Sequence, residues 1–318
     1  MGGMNVPKSR ILVVGSTNMD FVTCAERIPD AGETVMSDGT YFVAPGGKGA
    51  NGAVAAARLG AEVILCARVG KDVYGRELAD RSKEEGMDTR FLVFDETAPT
   101  GLAHIYREPN GQNRITVFTG SNKNMGLADA ENAFTSYPDA LLTQCEIPPE
   151  VMRYAVKTAN KQKIPVFLDM APVRDDVDFS KLGACEVISP NETEAAYYTG
   201  IDPVGDNLLR CAMELYKRVK TKYVVLKLGD RGSFVYDGYH QEYVPSMNVT
   251  AVDTTGAGDC FTAALCVRYM ARGGDILDAA RFANCAGAYS VTVSGAYASF
   301  PRLSELERFV KEYNAKQN

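Results

Sequence analysis

Short apolar runs recur along this chain, at 10–14, 62–68, 140–144, 165–168, 186–189 and 223–227. Helix-compatible stretches lie between most of them, at 51–59, 74–85, 149–161, 192–198 and 208–220. Several of the runs are apolar throughout rather than at alternate positions, so both of their faces must be covered. Strand alternating with helix in this way predicts an α/β fold: a doubly wound, mainly parallel sheet with helices on both faces. Ligands of such sheets collect beyond the carboxyl ends of the strands. Polar clusters stand at those ends: GSTNMD after the first run, Glu146 after the third, DMAP from Asp169, PNETE after the fifth and LGDRG after the sixth.

Two regions break the rhythm. Residues 18–43 and 90–118 hold short alternating runs with turns between them (FVTCAERI, GTYFVAP, RFLVF, GLAHIYR, RITVF) and no partner helices. They predict a small antiparallel sheet beside the main one, acting as a lid or an interface. No long linker or repeat intervenes, so 8–315 reads as one domain with a lid built from insertions.

Composition excludes several functions. Hydrophobic residues make up 46% of the 318 and charged residues 23%, the balance of a chain that buries a large core. A net charge of −6 carries no basic footprint for nucleic acid. No apolar run approaches the roughly 20 residues of a membrane span, and the opening residues lack the apolar core of a secretion signal. The eight cysteines stand singly, without a Cys-x-x-Cys, and there are only two histidines, His104 and His240. That predicts free thiols in a reducing cytoplasm and no zinc site. His104, in a strand-like run, and His240, near a turn, read as structural rather than as members of a nucleophilic triad.

Two glycine turns carry the chemistry. DTTGAGDCF, 253–261, leads into a stretch free of Gly and Pro. The first N–H groups of a helix have no internal partner and lie at the positive end of its dipole, and small residues let a ligand approach them. Gly256, Ala257 and Gly258 would form such an anion hole, with Asp259 at its edge. An acid in a first turn is also ordinary helix chemistry. The other turn lies in VAPGGKGANGAVAAARLGAEV, 43–63, which ends its helix at Gly60. Gly47, Gly49 and Gly52 match G-x-G-x-x-G, but they do not follow the first strand, Pro45 interrupts the approach, and a dinucleotide reading leaves Lys48 and Asn51 unused. Polar recognition of a small polyol uses both. No Walker A or protein-kinase motif is present.

With both glycine signatures in place, the chain resembles the ribokinase branch of the PfkB carbohydrate-kinase family, from GSTNMD to GAYASFP and so over nearly its whole length. The resemblance implies a ribokinase-like sheet with a β lid that closes on the sugar and pairs into a homodimer. It implies ATP-dependent phosphorylation of the 5-hydroxyl of D-ribose. Asp259 would be the general base, and Gly256, Ala257 and Gly258 the anion hole. Asn18, Asp20, Gly46, Gly47, Lys48, Asn51, Ala103, Glu146 and Asp259 would surround the sugar. Asn191 and Glu194 would help place Mg²⁺ and phosphate. Lys227, Gly229, Gly232 and Gly258 would line the nucleotide, with Asn284 near the adenine. Asp253, Thr255, Ser290, Val293, Gly295 and Ser299 would hold an activating K⁺, mostly through backbone carbonyls. Departures occur at Gly52 (usually Gln), at DMAP (usually Asn-Pro-Ala-Pro), at Lys227 (frequently Thr) and at GAYAS (usually Gly-Ala-x-Pro-Ser). Those near 52 and 169 bear on sugar choice, and that at 227 on nucleotide contacts. Other readings are a kinase for another sugar or a nucleoside, and a sugar or nucleotide sensor. A sensor would be expected to have lost Asp259 or its glycines. A dehydrogenase is a more distant reading.

Overall fold

The computed structural model describes residues 8–107 and 113–317. Among the described residues there are thirteen strands: β1 (Arg10–Val14), β2 (Asn18–Cys24), β3 (Thr40–Gly46), β4 (Glu62–Gly70), β5 (Leu92–Asp95), β6 (Gly101–Arg107), β7 (Asn113–Phe118), β8 (Ala140–Gln144), β9 (Val166–Asp169), β10 (Cys185–Ile188), β11 (Thr221–Lys227), β12 (Gly232–Tyr236) and β13 (Gln241–Pro245). Nine of them form one sheet in the order β13-β12-β11-β10-β9-β8-β1-β4-β5. It is parallel from β11 to β5, and β12 and β13 add antiparallel strands at one edge.

The expected doubly wound architecture is what forms. Along β1, Ile11 and Val13 join the core on one face and Leu12 and Val14 the core on the other, the period-2 consequence of a strand covered on both sides. The first core takes in helices Lys48–Arg58, Ala257–Ala271 and Ile276–Ser290; the second takes in Pro149–Lys161 and Asn207–Arg218. Helix Ala257–Ala271 is buried along most of its length, from Asp259 to Cys266 and again at Tyr269. It runs between helices Lys48–Arg58 and Ile276–Ser290, so its apolar residues need no single stripe. All eight cysteines are free thiols and six are buried. Burial pushes the Cys185 thiol up to about 12.

The second sheet, β3-β2-β6-β7, is the expected lid, with two corrections. The run at 90–94 does not belong to it: β5 pairs in parallel with β4 at the edge of the main sheet. It follows helix Val73–Glu84 and closes an ordinary strand–helix–strand crossover. The lid is also not wholly antiparallel, because its central pair, β2 and β6, runs parallel. Only the flanking pairs β2–β3 and β6–β7 are antiparallel. Strand β6 reaches β2 through the main-sheet excursion of β4 and β5, so it enters from the same end as β2. Residues 108–112 of the predicted lid region lie outside the described residues.

Helix Lys48–Arg58 docks its first turn directly on the end of β1. Ala50 N donates to Ser16 O at 2.9 Å, and a Cβ on Gly49 would stand 2.5 Å from the carbonyl carbon of Gly15 and 2.6 Å from Ser16 N. Backbone cannot yield as a flexible side chain can. Gly49→Ala is therefore expected to lower unfolding stability by about 1–3 kcal/mol, read as a lower urea midpoint. An unchanged midpoint would mean that the docking is looser than these distances require.

Candidate active site

The carboxyl ends of adjacent strands set a row of polar side chains along one edge of the main sheet. Glu146 follows β8, Asp169 ends β9, Asn191 follows β10 and Lys227 ends β11. Gln144 is in register with Asp169, and Asn191 forms a parallel bridge to Lys227. Two helices point their N-termini at this row: Lys48–Arg58, entered through Gly47, and Ala257–Ala271, entered through Gly256 in the left-handed region at φ 76°.

The two helices meet at Asp259. Asn51 Nδ2 donates to Asp259 Oδ2 at 2.7 Å, and Lys48 Nζ lies 3.5 Å from Asp259 Oδ1. Burial pulls the Lys48 ammonium towards its neutral form, yet the carboxylates of Asp259, Asp169, Glu146 and Glu194 outweigh it and hold the amine above its usual range. Lys48 is thus the positive centre of an acidic cluster. Glu146 Oε2 accepts from Lys48 N at 3.1 Å and from Ser16 Oγ.

The lid brings Asn18, Asp20 and Ala103 onto the same side. Asp20 is in register with Ala103 on β6 and Ala44 on β3. Gly46 and Gly101 flank Asn18, and both are there because there is no room for more. A Cβ at 46 would stand 2.2 Å from the Asp20 carboxylate, and one at 101 would stand 2.2 Å from Asn18 Oδ1. Asn18 Oδ1 accepts from Asn122 Nδ2 at 2.7 Å. Asp20 Oδ1 and Asn51 Oδ1 are buried and have no protein partner. Burial first, then Glu146 and Asp259, push the Asp20 carboxyl up to about 7.

A cleft of about 390 Å³ opens on the other side of Asp259. Lys227, Gly229, Gly232, Gly258 and Asn284 all line it, together with Ala257 and Thr254. Lys227 Nζ donates to both oxygens of Asp169 at 2.9 Å, and Thr262 Oγ1 donates to Asp169 Oδ2 at 3.2 Å. The pair is buried at the base of the cleft, against Gly258. Asn284 Nδ2 donates to Val244 O at 2.9 Å and Pro245 O at 3.3 Å, which fixes its amide at the far wall. Asn191 and Glu194 stand beside this cleft rather than in its lining. They form a capping box, Asn191 N and Nδ2 donating to Glu194 at 2.8 and 2.9 Å and Glu194 N donating to Asn191 Oδ1 at 2.8 Å. Burial raises the Glu194 carboxyl. The turn expected to form the anion hole departs from that expectation at Ala257, whose N–H closes onto Thr254 O at 3.2 Å and is not free for a ligand. Gly258 and Asp259 occupy the first helical turn, whose N–H groups have no partner within the helix.

The loop expected to hold K⁺ departs from that expectation at its carboxylate. Asp253 Oδ1 accepts from Thr255 N at 3.0 Å and Thr255 Oγ1 at 2.7 Å. Its Oδ2 accepts from Gly295 N at 2.9 Å, Ser294 Oγ at 3.3 Å and Arg107 Nη2 at 2.9 Å. Burial alone would raise this carboxyl, but these donors hold it down at about 2. A carboxylate offers about four lone-pair sites, so as it stands Asp253 does not fit a further cation. Ser290 and Ser299 donate their hydroxyls to Gly287 O and Ala296 O, both at 2.8 Å, and Val293 N donates to Ser290 O at 3.3 Å. Neither Arg107 nor the supports Ser16, Asn122 and Asp169 were singled out as site residues from the sequence. Only the polar strand ends at GSTNMD and DMAP, which contain Ser16 and Asp169, signalled two of them.

A lid over a polar pocket, a helix-terminus anion site and a carboxylate at their boundary define an enzyme that moves an anionic group between two small molecules. Residues 8–303 match the pfkB family carbohydrate kinases. The chain is 37% identical to the ribokinase of Bacillus subtilis over 94% of this chain and 99% of that protein. It is 29% identical to a deoxyribokinase of Salmonella typhi over 94% and 98%. The structure of Arabidopsis thaliana ribokinase complexed with ribose and ATP superposes with a TM-score of 0.84 at 30% identity, covering 96% of this chain and 99% of that one. The chain belongs to the pfkB carbohydrate kinase family.

The raised Asp20 carboxyl has a thermodynamic consequence. Between about pH 4 and pH 7 the folded protein holds a proton there that the unfolded chain has released, so stability falls as pH rises through that window and stays low above it. The full effect is roughly 4 kcal/mol. Asp20→Asn is expected to flatten that part of the stability–pH curve and to raise stability at pH 8. Parallel curves for the two proteins, from urea unfolding at several pH values, would show that Asp20 titrates normally.

Proposed function

We infer that the protein transfers the γ-phosphoryl group of ATP to the 5-hydroxyl of D-ribose. The observation that carries this reading is Asp259, held by Asn51 and Lys48 at a helix N-terminus between the polar lid pocket and the cleft that ends at Asn284.

The sugar lies under the lid. Asn18, Asp20, Lys48, Asn51 and Glu146 bind its hydroxyls, with Gly46, Gly47 and Ala103 giving it room. The unpartnered Asp20 Oδ1 and Asn51 Oδ1 suit hydroxyl donors. Asp259 accepts the proton of the attacking hydroxyl. Asn51 occupies one of its oxygens and leaves Oδ1, beside Lys48, to take that proton. The N–H groups of Gly256 and Gly258, with the helix dipole behind them, stabilise charge on the group in flight. Lys227, Gly229, Gly232 and Asn284 bind the nucleotide.

The donor set also suits a phosphate-borne divalent ion. No cluster of three metal-ligating side chains is present among the described residues, and Glu194 and Asn191 are occupied with each other, so they would hold Mg²⁺ indirectly, beside the phosphates. When bound, Mg²⁺ neutralises charge on the phosphates. The lid excludes water that would otherwise compete with the sugar. Tyr41 and Ile115, on the edge strands of the lid, are exposed, which supports a homodimer through that sheet. The free cysteines support a cytoplasmic location.

ADP release should depend on D-ribose in Mg-ATP, and Asp259→Asn should lower kcat by about 10²–10⁴-fold. The test is a coupled ADP assay across pentoses, including 2-deoxyribose, and across hexoses and nucleosides. A response to another sugar alone would discard ribose and keep the site chemistry. Silence from folded protein across the panel would favour a sensor.

A further inference from the structure

Arg107 is the last residue of β6, on the lid, yet its guanidinium leaves the lid and reaches Asp253 Oδ2 at 2.9 Å. The pair is well shielded: the side chain of Asp253 is 5% exposed and that of Arg107 26%. The loop that Asp253 organises leads straight into the helix N-terminus at Gly256. Asp253 fixes Thr255 through two hydrogen bonds, Thr254 O takes the Ala257 N–H, and helix Ala257–Ala271 begins there. The same carboxylate ties down the second loop through Ser294 and Gly295. A positive charge on Asp253 therefore braces the turn that presents its N–H groups to phosphate. At its other end, β6 carries Ala103, in register with Asp20 of the sugar pocket. One strand thus spans the sugar side and the brace.

We propose that Arg107 supplies, from within the chain, the positive charge that a monovalent cation would bring to this loop, so that docking of the lid strand itself braces the anion hole and the protein needs no K⁺. The proposal rests on the anion-hole reading above for its catalytic consequence, but not for its structural one. An arginine suits this role better than a lysine, because its planar fork holds a fixed direction and it is always charged. Arg107 is a positioning residue: it acts on the phosphate site through Asp253 and the turn.

The test compares K⁺ with choline, at constant ionic strength, in two measurements. In thermal unfolding of the ligand-free protein, the wild type should show the same Tm in both salts. Arg107→Met, which removes the positive charge beside Asp253 and leaves Ser294 Oγ, its longest remaining contact at 3.3 Å, to turn aside, should gain a saturable rise in Tm with K⁺, because an ion that binds only the folded state stabilises it. In the ADP assay, wild-type kcat should not change with K⁺. Arg107→Met in choline should fall by about 10–100-fold, the scale of a misplaced catalytic group, and should recover as K⁺ is added. Arg107→Lys should restore most of the activity without K⁺, which separates loss of charge from loss of packing. Saturable K⁺ activation of the wild type would overturn the proposal, as would a variant Tm that does not respond to K⁺. If Arg107→Met does not fold, Arg107→Lys and Arg107→Gln decide through the same Tm comparison. If the wild type turns over no sugar at all, the proposed function falls, and the Tm response still decides whether Arg107 stands in for the ion.

Discussion

The hydrogen bond from Asn51 to Asp259 joins two helices that begin more than 200 residues apart, and the rest of the site is arranged around it. Each helix starts at a glycine turn, but for different reasons: the first N–H groups of Lys48–Arg58 are taken by Glu146 and Ser16 as it docks on the end of β1, whereas the Gly258 N–H stays without a partner within its helix. Each has its positive end aimed at the same spot. Two like dipole ends repel, and Lys48 adds to that charge. Asp259, Glu146, Asp169 and Glu194 offset it. The fold serves this junction. Helix Lys48–Arg58 can reach it only by docking on the Gly15–Ser16 backbone, and helix Ala257–Ala271 only by running through the core, buried along most of its length.

Ion pairs in this protein divide by depth. Those on helix surfaces, such as Arg81 with Glu77 and Glu84, are exposed and contribute little. Asp169 with Lys227 is of another kind, with side chains 2% and 9% exposed. A buried pair regains its desolvation cost only with good geometry and further hydrogen bonds. Here Lys227 meets both carboxylate oxygens and Thr262 adds a donor, itself bonded to Ser189 at 2.9 Å. A hydrophobic pair of the same volume would stabilise the fold as well or better. What it would lack is an ammonium beside Gly258, at the base of the cleft proposed for the nucleotide. DMAP and Lys227, two of the departures noted in the sequence, are therefore one feature: a carboxylate and the lysine it orients.

Much of the architecture was legible because it is written locally. Strand–helix alternation announces a doubly wound sheet, and the glycine turns announce two helix N-termini. Asn51, Lys48 and Asp259 stood out from those turns, and the fold does bring them together. What stayed hidden depends on partners distant in sequence. The run at 90–94 has the same short, alternating character as a lid strand, and only β4 beside it decides which sheet it joins. Asn122, which holds Asn18 across a separation of 104 residues, lies in a polar 3-10 turn that looks like any other loop. Arg107 is one charged residue at the end of a strand, and nothing local says that its charge ends on Asp253. The K⁺ expectation followed from the family resemblance, and a matching motif cannot reveal that a lid arginine already occupies the carboxylate of Asp253.

The site also has two chemical halves, and Asp259 lies on the line between them. Under the lid, Asp20 Oδ1 and Asn51 Oδ1 are buried acceptors without partners. Each such atom costs about 1–3 kcal/mol until a donor arrives. A phosphate brings acceptors and cannot help, whereas a sugar brings hydroxyls and can. In the cleft the balance reverses: Lys227 and the first-turn N–H groups at Gly258 are donors, and they favour a ligand rich in acceptors. On the proposed reading, the two substrates are sorted by the sign of their hydrogen-bonding capacity before any shape is read. The place where a proton must leave one substrate as the other's phosphoryl group arrives is where the two halves touch. On the proposed reading, a carboxylate held there by Asn51 on one oxygen, with its other oxygen beside Lys48, is placed to take the proton without moving.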